Sequence, residues 1–198
     1  MFVTFEGIDG SGKTTQVDLL RQALESEGRS VVATREPGGT PLGERVRELL
    51  LEGTEMTAWA EAALFAAARA ELVERVIRPA LEQGCDVLCD RYIDSSLAYQ
   101  GIARGLGVER VLELNLEATR GLLPDRTFLF LLDPQQALGR LPDAPDRIEA
   151  EGDEFIARVD AAYRELATLF PRRIEPLDAT LPATELAEMI RGRLRAAT

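Results

Sequence analysis

Residues 7 to 15 read GIDGSGKTT, and Lys13 within them is the only lysine in the chain; every other basic residue is arginine. Gly7 to Thr14 fits G-x-x-x-x-G-K-[ST], a spacing whose chemistry is phosphate binding. Glycines let the backbone curl until its N–H groups point inward at phosphate oxygens, so Gly7, Ile8, Asp9, Gly10, Ser11, Gly12 and Thr15 become candidate ligands through their main chain. A helix beginning at Lys13 adds its positive end. Lysine suits the site because an ammonium is a compact charge on a flexible stem. It can sit between β- and γ-phosphate oxygens and follow their charge during transfer, whereas a planar guanidinium wants a bidentate partner. The Thr14 hydroxyl is then placed for Mg²⁺.

A magnesium site also needs a carboxylate, best placed at the end of a strand. Asp-Arg occurs at Asp90-Arg91, Asp125-Arg126 and Asp146-Arg147. Only Asp90 closes an apolar run, DVLCD, on the side where ligands of an open α/β sheet bind. Asp90 is therefore the expected metal carboxylate. A kinase needs a second anion site for its acceptor. Arg35, in TREPGGT, and Arg91 both follow strands and are expected to converge on the phosphate loop; each also reads as a surface arginine with a solvated head. The guanine-reading N-K-x-D pattern is absent, since Asn115-Leu116 lacks the lysine, and this disfavours a GTPase. The chain has no histidine, which excludes histidine bases and histidine metal ligands.

The elements that must position these residues follow from hydrophobic pattern. Short runs rich in Val, Ile, Leu and Phe lie at Phe2–Phe5, Ser30–Thr34, Asp86–Cys89, Thr127–Leu132 and Ile174–Leu177. None alternates strictly, which suits strands covered on both faces. Helical period fills the gaps: Lys13 to Glu27, stopped by Gly28; Thr40, an N-cap before Pro41, to Gly53; Thr57 to Gln83, with Pro79 expected to bend or break it; then Val108–Arg120, Glu154–Phe170 and Thr184–Arg195. Strands alternating with helices predict an α/β fold, a P-loop NTPase-like, doubly wound, five-stranded parallel sheet flanked by helices. Residues 1–198 are expected to form a single domain, and Leu141 to Gly152, with its prolines and charges, reads as a mobile loop.

The net charge of −11 argues against nucleic-acid polymers and anionic membranes as partners, but not against a small anion held by a few arginines. No apolar run approaches the ~20 residues of a membrane span. The MFVTFEG start has no signal-peptide pattern. Cys85 and Cys89, without further Cys or His, make a poor zinc site and read as reduced thiols of a cytoplasmic protein.

The segments GIDGSGKTT, TREPGGT, FAAARAELVE, DRYIDSSLAYQG, DRIE and LDAT together resemble the bacterial thymidylate kinases over essentially the whole chain. The resemblance implies transfer of the ATP γ-phosphoryl group to dTMP with Mg²⁺, in a homodimer, on the way to dTTP. It implies thymine stacked on Phe65, with Arg69 hydrogen-bonding a base carbonyl. By spacing alone the two are a core aromatic and an arginine at its rim on one helix face. It places Ser96 at the thymine edge, Ser95 in the acceptor site and Tyr99 against the sugar 2′ position. Asp9 falls near the 3′-hydroxyl and the magnesium shell. Tyr163 lines the monophosphate pocket on this reading, and is otherwise a core aromatic. Asp178 and Ala179 fall in the adenine loop, though by spacing they form only a turn. Some relatives carry an arginine in the phosphate loop; here that position is Gly10, which is similar to the subgroup that supplies lid arginines. The lid runs from Gly139 to Gly152 and offers Arg147, expected to act on the transferred group, and Arg140 as second choice. The nearest rivals are another nucleoside monophosphate kinase or deoxynucleoside kinase of the same fold, and a non-catalytic nucleotide-binding protein.

Overall fold

The structure is a computed structural model that describes residues 1–52, 55–140 and 146–195. The five apolar runs form β1 (Phe2–Glu6), β2 (Val31–Arg35), β3 (Asp86–Asp90), β4 (Arg126–Leu131) and β5 (Ile174–Asp178). They build one sheet in the order β2-β3-β1-β4-β5, and every pairing is parallel. This is the expected architecture. The fully covered pattern holds for β1 and most of β3 and β4, whereas β2 and β5 lie at the edges and stay partly exposed. Because the sheet is parallel, the ends of all five strands open on one edge, and that edge carries the loop after β1, Arg35, Asp90 with Arg91, and Asp178.

The helices are α1 (Lys13–Ser26), α2 (Pro41–Leu51), α3 (Ala58–Leu72), α4 (Arg78–Glu82), α5 (Ile93–Ser96), α6 (Val108–Thr119), α7 (Pro134–Leu138), α8 (Asp153–Leu169) and α9 (Ala183–Arg195). Thr40 caps α2 through its side chain, which accepts from the Gly43 N–H at 2.9 Å. Pro79 does not break the long Ala-rich helix. A π-helical turn, Val73–Ile77, joins α3 to α4 just ahead of it, loosening the coil where proline offers no N–H.

Two elements lay hidden in the sequence. Helix α5 continues into a π-helical turn, Leu97–Ala103, and residues from Ile93 to Gly101 are buried throughout, so no amphipathic stripe marks them. Helix α7 has only five residues; Asp133 caps it by accepting from the Gln135 N–H at 2.9 Å. Of the loop expected to be mobile, residues 141–145 lie outside the described residues. The rest is ordered by its own sequence: Asp146 Oδ1 accepts from the N–H groups of Ile148 and Glu149, leading into a 3₁₀ turn at Glu149–Glu151. Among the described residues no helix is long and apolar enough to cross a membrane.

The core lies on both faces of β1, β3 and β4. Phe5 stacks on Phe130 with ring centroids 6.1 Å apart, and Phe2 meets Tyr92 edge-on at 5.0 Å. Helix α8 lays Phe155, Val159, Ala162 and Leu166 into this core and carries Tyr163 with them.

Candidate active site

The loop between β1 and α1 is tight because two glycines leave no room for side chains. Gly7 has φ +138°, and a Cβ there would lie 2.5 Å from the Phe130 carbonyl oxygen. Gly10 has φ +77°, and its Cβ would lie 2.6 Å from the carbonyl oxygen of Ala137 in α7. Helix α7 thus explains why no arginine occupies position 10: any side chain would strike backbone. Lys13 is buried, and its Nζ donates to the Ile8 carbonyl at 2.9 Å while lying 3.7 Å from Asp9 Oδ1. Burial and the nearby Arg91 lower its pKa, and Asp9 and Asp90 oppose them. Thr14 Oγ1 donates to Asp90 Oδ2 at 2.5 Å across the β1–β3 crevice, so the two expected metal ligands do meet.

Arg91 follows Asp90 in a left-handed turn, φ +68°, rarely adopted by a side-chain-bearing residue. That turn aims the guanidinium back over the end of β1. Its Nη2 donates to Asp9 at 2.8 Å, and its Nη1 to Ser95 Oγ at 3.2 Å and to Tyr163 Oη at 3.1 Å. It also lies over the Tyr99 ring. Burial would raise the Asp9 pKa, but Arg91 and Lys13 outweigh it and hold the carboxyl well below the usual range.

A cleft of about 600 Å³ runs along the phosphate loop from Gly10 to Thr15 and on to an apolar end at Ala179, Leu181, Ala183 and Leu186. It shares Asp9, Glu36, Arg47 and Arg91 with a narrower lobe of about 80 Å³, which Phe65, Ser95, Ser96 and Tyr99 also line. Gly7 and Ile8 sit beneath the loop rather than in the cleft, Ile8 being buried. Asp178 turns its carboxylate to the Thr180 hydroxyl and is not among the cleft residues, unlike its neighbour Ala179.

Four of the expected site residues have partners that the sequence does not reveal. Arg147 is not at the phosphate loop. Its Nε donates to the Leu50 carbonyl at the end of α2, and its Nη2 to buried Glu61 at 2.7 Å. Glu61 also takes Arg104 and Gln100, and these bonds outweigh burial and keep its pKa low. Arg140 is the lid arginine that lines the cleft, donating to the Gly10 carbonyl at 3.3 Å. Arg69 is almost fully buried, lies over the Tyr92 ring and is not among the residues that line either lobe. Its N–H groups serve Glu36, the Tyr92 carbonyl, Asn115 and, at 3.0 Å, Ser96 Oγ, which itself lines the narrow lobe. Tyr163 is likewise buried behind the narrow lobe, with its hydroxyl on Arg91. Arg35 lines the wide cleft but pairs with Glu44 at 3.1 Å and does not reach the narrow lobe, where Arg47 stands instead.

Arg47 went unread because an arginine on the amphipathic helix α2 looks like any solvated head; in the structure it donates to the Pro37 carbonyl at 3.1 Å, beside the cis Glu36–Pro37 bond. Glu6 and Glu36 were missed for a simpler reason: nothing in a β-strand pattern distinguishes a buried carboxyl at its end.

Comparison with known proteins agrees with this geometry. A family profile described as thymidylate kinase matches residues 5–190. The chain is 51% identical over 185 residues to a thymidylate kinase of Bifidobacterium longum (strain NCC 2705), covering 91% of this chain and 90% of that protein. It is 52% identical over 197 residues to one from Gloeobacter violaceus, covering 97% and 93%. The crystal structure of thymidylate kinase from Ehrlichia chaffeensis superposes with a TM-score of 0.82 at 35% identity, covering 98% of both chains.

Proposed function

The chain belongs to the thymidylate kinase family, ATP-dependent enzymes that phosphorylate dTMP to dTDP, and on that premise we propose how its residues divide the work. The observation that carries the proposal is the pair of joined lobes: a phosphate-loop cleft opens into an aromatic-walled one, with Asp9, Glu36, Arg47 and Arg91 on their border. ATP lies in the wide lobe, its adenine toward Ala179 and Leu181 and its phosphates on the loop N–H groups and Lys13. In the narrow lobe dTMP stacks its base on Phe65. Ser96 Oγ accepts from Arg69, which leaves its own proton for the thymine edge. Tyr99 crowds the sugar, Asp9 faces its hydroxyl, and Arg91 with Arg47 holds the acceptor phosphate.

No general base is needed. The second pKa of a phosphate monoester is ~6, so the nucleophile is already largely a dianion at neutral pH. The problem is to bring two polyanions into line and meet the charge on the moving group. Lys13 meets it from the donor side and Arg91 from the acceptor side. Arg140, already at Gly10, closes from the lid. Thr14 and Asp90 fit Mg²⁺, because a hydroxyl and one carboxylate suit an ion that completes its shell with phosphate and water. Held by Thr14 and Asp90, a magnesium ion would supply positive charge against the donor phosphates.

We read residues 1–198 as one domain, since a single large apolar core spans the sheet and its helices. The exposed Leu42 and Leu49 on α2 and Trp59 on α3 support a homodimer through these helices. The free thiols Cys85 and Cys89 support a cytoplasmic setting. ADP release measured with dTMP, dUMP, CMP, AMP and thymidine in parallel tests the function. dTMP is expected to give the highest kcat/KM; preference for a nucleoside over every monophosphate would contradict the Arg91 assignment.

A further inference from the structure

We propose that Glu6 is a positioning residue that works as a neutral carboxylic acid, closing a hydrogen-bonded ring with Ser95 and Tyr163 that sets Arg91 for the acceptor phosphate. The inference rests on the reading of Arg91 given above.

Glu6 ends β1 and is completely buried. Its two oxygens have different surroundings. Oε1 accepts backbone N–H groups from Tyr92 at 2.8 Å and Ser95 at 3.2 Å, as a carbonyl oxygen would. Oε2 lies 2.6 Å from Ser95 Oγ and 2.9 Å from Tyr163 Oη, and those two hydroxyl oxygens are 2.9 Å from each other. Three oxygens therefore make three contacts, each needing one proton between its atoms. The serine and the tyrosine supply two. Arg91 adds none to the ring, since its Nη1 donates to both hydroxyl oxygens from outside. An ionised Glu6 leaves one contact lone pair against lone pair. A neutral Glu6 supplies the third proton: its hydroxyl donates to Ser95, Ser95 to Tyr163, and Tyr163 returns to Oε2.

The surroundings agree. Burial pushes the Glu6 pKa up, the Asp94 carboxylate adds to it, and bonds from Ser95 and Tyr92 with the Arg91 charge oppose it; the balance stands at about 7. Asp94 is itself paired with Arg173. The further charged and titratable groups that Glu6 acts on are Lys13, Arg69, Cys89, Tyr99, Tyr163 and Arg173. Neutrality has a use. Asp9 already pairs with Arg91 at 2.8 Å, and a second carboxylate behind the guanidinium would cancel charge meant for the incoming phosphate.

Glu6→Gln tests this, because its amide is neutral at every pH: its oxygen replaces Oε1, and its NH₂ donates to both Ser95 Oγ and Tyr163 Oη while Ser95 donates to Tyr163, so every contact of the ring still holds a proton and only the Tyr163 proton turns out of it. At about pH 6 the variant is expected to keep the parent's dTMP KM, while Glu6→Leu, which breaks the ring, raises it about tenfold with the ATP KM unchanged. Above about pH 7 the parent's dTMP KM is expected to rise relative to that of Glu6→Gln. Infrared spectra of the parent should show a protonated-carboxyl band that fades over the same range and is missing from Glu6→Gln. Arg91→Ala is measured alongside. If Arg91→Ala raises the dTMP KM but Glu6→Gln behaves like Glu6→Leu, or the parent lacks the band, the proposal is overturned and the Arg91 reading stands. If Arg91→Ala leaves the dTMP KM unchanged, that reading falls and the proposal with it.

Discussion

Two arginines of the lid segment carry the same charge and are expected to fail in different ways. Arg140 donates to the Gly10 carbonyl on the phosphate loop, and the proposed mechanism uses it to meet the moving group. Arg140→Ala should cut kcat by ~10³-fold or more with little change in either KM, the mark of a group that acts in the transition state. Arg147 ties Glu61 to the end of α2. Arg147→Ala should lower stability by about 1–3 kcal/mol, read as a shifted urea midpoint, because it removes one partner from a buried carboxylate. Glu6 makes a linkage prediction. Its folded pKa of about 7 lies above the ordinary 4.5, so the folded state holds a proton that the unfolded state releases first. Its stabilising contribution is complete below the ordinary pKa and is lost as pH rises through the folded one. The parent's Tm should therefore fall relative to that of Glu6→Gln as pH is raised between those values. Lys13, Thr14 and Asp90 could be singled out because Lys13 is the lone lysine and all three sit at fixed offsets from a strand end. The partners of Arg140 and Arg147 were not legible, because sequence gives charge and spacing but not which carboxylate or carbonyl captures which guanidinium.

Elements act as single pieces of the machinery. Helix α2 brings Arg47 to the border of the two lobes, and its first turn depends on the Thr40 cap. Thr40→Ala should cost ~1 kcal/mol and raise the dTMP KM modestly, measured by urea unfolding and initial rates. The seam between the phosphate loop and α7 is less forgiving. Gly10→Ala combines a left-handed φ with a backbone contact at 2.6 Å, and should cost roughly 1–3 kcal/mol together with most of the activity. The amphipathic helices α1, α2, α6, α8 and α9 could be read from sequence because one face is wet. The α5 segment and its π-helical extension, which hold Ser95, Ser96 and Tyr99, could not: burial on every side erases the period that marks a helix.

At the scale of the molecule, alternating strands and helices dictate a parallel sheet, and the sheet gathers its functional loops on one edge. The order β2-β3-β1-β4-β5 was not legible in the same way, since no strand sequence names its neighbours. Part of the Ala-rich helix α3 packs internally, with Ala62, Ala66 and Ala68 buried. On the opposite side of α3, Ala60, Ala63 and Ala67 lie exposed with Trp59, the face through which the proposed dimer would pack. Sedimentation should show a dimer at micromolar protein, and Ala63→Glu should convert it to monomer; a monomeric parent would remove the dimer from the account.

The central claim is that one buried ammonium grips the donor while guanidinium groups present a nucleotide monophosphate to it. Initial-rate transfer from ATP to dTMP, compared between the parent and Lys13→Ala after both are shown to be folded, tests it most directly. The account predicts a loss in kcat of about 10²–10³-fold, the scale of removing one preorganised charge from a phosphoryl-transfer site; transfer at the parent's rate in the folded variant would contradict it.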